Sequence, residues 1–64
     1  MKLKDLKDIL TSERGSVQDT IVYDYNNNVD LETGCSVEYA VSNYGEYEVK
    51  RIGAFNNALV ITVI

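Results

Sequence analysis

"EYEVKRIGAFNNALVITVI", residues 46–64, decides how this chain folds. Two apolar, β-branched segments flank Asn56-Asn57, and asparagine tolerates the left-handed backbone that a tight two-residue hairpin turn demands. Pairing outward from that turn sets Phe55 opposite Ala58, Ala54 opposite Leu59, Gly53 opposite Val60, Ile52 opposite Ile61 and Arg51 opposite Thr62. Cross-strand partners share a face. One face therefore carries Ile52, Ala54, Leu59, Ile61 and Val63, and is the predicted core. The other carries Arg51, Gly53, Phe55, Ala58, Val60 and Thr62, with Ile64 beyond. Val49 lies three residues before Ile52, so a regular strand cannot point both to one side, and a bulge near Lys50 and Arg51 is expected. The closing "ALVITVI" is apolar at six of its seven positions, so its second face also asks for a cover.

The rest of the chain supplies candidate covers. Leu3, Leu6 and Leu10, with Ile9 beside them, form the apolar stripe of a short amphipathic helix, and Gly15 stands just past its expected end. "TIVYDY" (20–25) suits a strand, "NNN" (26–28) breaks it, and "VDLET" (29–33) returns as a short second strand ending at Gly34. "SVEYAVSNYG" (36–45) reads two ways. As a strand it aligns Val37, Tyr39 and Val41; as a helix it aligns Val37, Ala40, Val41 and Tyr44. Ser36 as N-cap and Gly45 after the end favour the helix. The expected fold is α+β, one small domain over residues 1–64. An N-terminal helix packs on a small, mainly antiparallel sheet, with a second short helix and a C-terminal β-hairpin.

With 64 residues, the chain buries a small core and gains from a partner. A single cysteine, Cys35, forms no internal disulfide, and no histidine is present, so zinc sites built on Cys and His lack ligands. No apolar run is long enough to span a membrane, and Asp5 and Asp8 within "MKLKDLKDIL" do not fit a signal peptide, which predicts a cytoplasmic protein.

Chemistry finds little purchase. Without histidine there is no Ser/His or Cys/His pair. Glu46 and Glu48 read as a solubilising strand face, and so small a protein has little room for a pocket. "DYNNNVDLETGC" (24–35) places Asp24, Asn26, Asn28, Asp30 and Glu32 at alternate positions, as a calcium loop does. However, Val29 stands where that loop turns on glycine, and Cys35 where its closing glutamate belongs. No enzyme activity, metal or cofactor is predicted.

Charge is more informative. The net charge is −4, and residues 15–49 hold seven carboxylates and all five tyrosines with no Lys or Arg. Such a block repels a phosphate backbone, so direct nucleic-acid binding is not expected. Tyrosine is enriched in protein interfaces, and carboxylates around it complement a basic groove much as a DNA mimic would. Tyr23, Asp24, Tyr25, Asp30, Glu32, Tyr44, Glu46, Tyr47 and Glu48 are the candidate partner-binding residues. An alternative uses the second hairpin face, through Phe55, Val60 and Ile64, for self-association as a structural subunit or homodimer.

The order of a "MKLKDLKDIL" helix, a "TIVYDY" strand, a middle helix and a hairpin made from "EVKRI" and "ALVITV" resembles that of very small proteins encoded by phages and prophages. That resemblance supplies no functional residue. It implies a context in which tiny acidic proteins, anti-CRISPR proteins among them, inhibit host defences by occupying a nucleic-acid-binding surface. The corresponding partner would be a host nucleic-acid-handling effector with a basic surface.

Overall fold

A computed structural model describes residues 1–13 and 19–64, with the backbone alone at 11–13; the expected helix end at Gly15 lies outside the described residues. A 3-10 turn (Leu3–Leu6) leads into α1 (Lys7–Glu13). Then follow β1 (Asp19–Asp24), β2 (Val29–Cys35), α2 (Val37–Tyr44), β3 (Val49–Phe55) and β4 (Ala58–Val63). The class is α+β, as the sequence indicates.

The hairpin forms in the expected register, from Phe55 opposite Ala58 to Arg51 opposite Thr62. Asn56 and Asn57 take φ of +50° and +64°, the left-handed pair that matches strand twist. A register shift between Val49 and Arg51 brings Val49 opposite Val63, so the expected bulge turns Val49 back toward the core. α2 also forms, with the Ser36 hydroxyl accepting from the Tyr39 amide at 3.0 Å. β2 runs past Gly34, which at φ +69° bends the strand instead of ending it, and continues to Cys35.

The strand order β2-β1-β4-β3 puts β1 beside β4 in a parallel pair, Asp19 opposite Ala58 through to Asp24 opposite Val63. The two hairpins are antiparallel, so β2 and β3 run in one direction at opposite edges. Parallel strands need a crossover. α2 provides it, carrying the chain from one edge to the other. Its Val37 and Ala40 join Leu3, Leu10, Val22, Ile61 and Val63 in one buried cluster. Both helical segments therefore lie on the same side of the sheet. Gly45 closes this layer. Its carbonyl accepts from the Lys4 amide at 3.0 Å, and a Cβ there would sit 2.4 Å from the Val41 carbonyl oxygen.

Two expectations are corrected. Ile52 (38% exposed) and Ala54 are not core, because the helices pack over β1 and β2 and leave β3 at the uncovered edge. Ile9, beside the leucine stripe, is 58% exposed, because the backbone begins as a 3-10 turn and only Leu3 and Leu10 point fully inward.

Thr20 is fully buried on the core face, and its hydroxyl has no hydrogen-bond partner among the described residues. An unpaired buried hydroxyl costs about 1–3 kcal/mol. Thr20→Val should therefore raise stability by about 1–2 kcal/mol in urea unfolding. Ile61→Ala, which empties the centre of the same cluster, should cost about 2–5 kcal/mol.

Candidate functional site

Alternation along each strand fixes what the helix-free face displays. Ile21 and Tyr23 of β1 share it with Val60 and Thr62 of β4, which share it with Gly53 and Arg51 of β3. Tyr23 lies opposite Asp30 of β2. One row thus crosses the whole sheet as Asp30, Tyr23, Thr62 and Arg51, with a carboxylate at one edge and a guanidinium at the other. The next row holds Ile21, Val60 and Gly53, and the next Asp19, Ala58 and Phe55. Phe55 is 66% exposed.

Gly53 shapes this face. With no side chain, and nothing within 4 Å of where a Cβ would stand, it leaves a hollow of about 310 Å³ between Arg51 and Phe55, with Val60 and Thr62 alongside. The chain is small, yet it has room for a concavity because this one lies open on a sheet instead of inside a core.

The predicted partner-binding residues do not share one surface. Tyr23 and Asp30 are on the helix-free face. Glu32 lies opposite Val22 on the helix side, where the Tyr44 hydroxyl donates to its Oε1 at 3.0 Å and to the Leu31 carbonyl at 3.2 Å. The Glu32 carboxylate, followed by partial burial, pushes the Tyr44 phenol up from its ordinary value. Tyr47 packs edge-on against Tyr44, with ring centres 5.8 Å apart. Tyr25 lies beyond β1 with the Lys50 ammonium 4.6 Å from its ring centre, a cation–π contact.

The strongest carboxylates hold the chain together. Asp24 accepts from the Asn27 side chain at 2.6 Å and from the amides of Asn26 and Asn27, pinning the β1–β2 turn. The Asn27 side chain is the main cause of its lowered pKa. Glu46 takes Lys4 at 2.6 Å and Lys2 at 2.9 Å, and these two cations hold its carboxyl down at about 2. Glu48 pairs with the Met1 ammonium. Acidic residues of the middle block thus clamp the basic N-terminal segment, a pairing across more than forty residues that composition alone does not reveal.

Of the predicted self-association residues, Phe55 and Val60 line the hollow, and Ile64, half exposed, follows Thr62 in the alternation. Ile21 was not singled out by sequence. Its signal is the alternation within "TIVYDY", which sets it and Tyr23 opposite the buried Val22. Among the described residues no three of Cys, Asp and Glu come together as a metal site, and no helix is long and apolar enough to cross a membrane. Comparison with known protein families, curated proteins and solved structures finds no match.

Glu46 offers a direct test of the clamp. Its carboxyl titrates lower in the folded chain than in the unfolded one, so its contribution to stability is present above the ordinary value of 4.5 and is lost as pH falls toward about 2. Carbon NMR titration should give a Glu46 midpoint near 2 in low salt. The midpoint should rise toward 4.5 in Lys2→Met/Lys4→Met, and partway in molar salt, because the pair is exposed.

Proposed function

We propose that this chain is a non-enzymatic protein–protein interaction module that works through its helix-free sheet face. The carrying observation is that both helical segments cover one side, so that among the described residues no helix covers Ile21, Val60, Phe55 and the Gly53 hollow, although Thr62 and Ala58 between them are buried. A four-stranded sheet normally buries both faces or makes one of them polar. This face is neither: Ile21 and Val60 make its middle row apolar, while Asp30 and Arg51 stand at the two edges and Asp19 at one end of β1. The matching partner is a polypeptide with an apolar surface flanked by charge.

A second reading, favoured by the seven carboxylates of residues 15–49, is a phage-borne inhibitor that covers the basic groove of a host nucleic-acid-handling protein. Asp24, Glu46 and Glu48 are engaged within the fold. An inhibitor of this kind would therefore meet its target chiefly through Asp30, Tyr23 and Tyr25, and its complex would dissociate in high salt.

Photo-crosslinking separates the faces. A photoreactive residue at Phe55, used in the cells that make the protein, should give covalent adducts, and one at the exposed Ser42 of α2 should give none. Val60→Lys should abolish the Phe55 adducts while leaving the far-UV circular dichroism unchanged. Equal adducts at both positions, or adducts indifferent to Val60→Lys, would refute the sheet face as the binding surface.

A further inference from the structure

The geometry points to a second copy of this chain as the occupant of the sheet face, related by a two-fold axis parallel to the strands. This inference rests on the interaction reading above and names its partner. The argument comes from the charged row. Asp30 and Arg51 lie at opposite ends of one row on one face, and neither makes an ion pair among the described residues.

A two-fold axis running along the strands, midway between two facing sheets, exchanges left edge for right and keeps each row at its height. Asp30 of one copy then stands over Arg51 of the other, and the reverse, so symmetry makes the contact twice. The same operation sets Ile21 of one copy over Val60 of the other, beside the Gly53 hollow, where an apolar side chain can enter. A two-fold axis across the strands instead brings each edge over its own copy, with Asp30 edge on Asp30 edge and Arg51 edge on Arg51 edge. Of the two axes, the first alone brings Asp30 of one copy to Arg51 of the other.

Aligned sheets pack about 10 Å apart with apolar side chains interdigitated, and the middle row of Ile21 and Val60 has that composition. Strand spacing and rise give it dimensions of roughly 20 by 20 Å. That lies at the low end for a specific interface, so the dimer should be reversible and concentration-dependent.

Sedimentation from about 10 µM to about 1 mM tests this. Wild type should pass from monomer to dimer across the range. Asp30→Arg and Arg51→Asp, each alone, set like charges against one another twice and should weaken association about tenfold or more. The double variant should recover it, and so should an equimolar mixture of the two single variants, which pairs each positive row with a negative one. A structural defect would not be repaired by mixing.

Single variants that dimerise like wild type, or a mixture that stays monomeric, would overturn the two-fold arrangement. Wild type that remains monomeric at about 1 mM would overturn the second copy as occupant. In that case, Phe55 adducts still abolished by Val60→Lys would keep the interaction reading, and their absence would end both.

Discussion

The parallel contact between β1 and β4 is the constraint on which the other features depend. It joins residues 19–24 to residues 58–63 at the centre of the sheet. Each of these strands brings its own hairpin partner on the outer side, so β2 and β3 are forced to the two edges. The link from β2 to β3 must then pass over the whole sheet, and α2 is that link. Once α2 crosses on one side, the N-terminal segment packs against it through Leu3 and Leu10, and the buried cluster is complete on that side alone. That both helices of the described residues leave the other face to the strands follows from the strand order.

The N-terminal segment is held in place by two different means. Leu3 and Leu10 supply the apolar contact, while Lys2, Lys4 and the Met1 ammonium reach Glu46 and Glu48 in the loop after α2. Backbone bonds run alongside, from the Leu3 amide to the Tyr47 carbonyl and from the Val49 amide to the Met1 carbonyl. Exposed ion pairs contribute little individually. Here they share one short segment with hydrogen bonds and a close glycine approach, so they fix the direction in which a marginal helix enters the fold. Two of the seven carboxylates of the middle block, Glu46 and Glu48, are thus the internal complement of the basic N-terminal segment.

Local chemistry was legible in the sequence. Asn56-Asn57 specified the hairpin and its register, the spacing of Val49 from Ile52 required the bulge, and Ser36 with Gly45 marked α2. Long-range pairings were not. Nothing in "TIVYDY" or "ALVITVI" says that these strands lie side by side, since apolar alternation fits a parallel or an antiparallel neighbour equally well. The hairpin pattern also could not show that the helices stop short of Ile52 and Ala54. The candidate site divided in the same way. Phe55 and Val60 followed from the hairpin register, whereas the alignment of Asp30 with Arg51 exists only through two intervening strands. Asp24, Glu46 and Glu48 looked available because their partners are set by turn geometry or lie far along the chain.

The order of synthesis gives the central position of β4 a further meaning. β4 follows the other described strands in chain order yet occupies the middle of the sheet. Hairpins close within microseconds, but a contact between segments this far apart must first overcome the entropy of a long loop. Until β4 is available, β1 has one neighbour and the leucines of the N-terminal segment have no Ile61 or Val63 to cover. The buried cluster is therefore complete only once β4 is in place beside β1. During that interval its apolar segments are exposed together, which is when a small β-rich chain is most prone to aggregate.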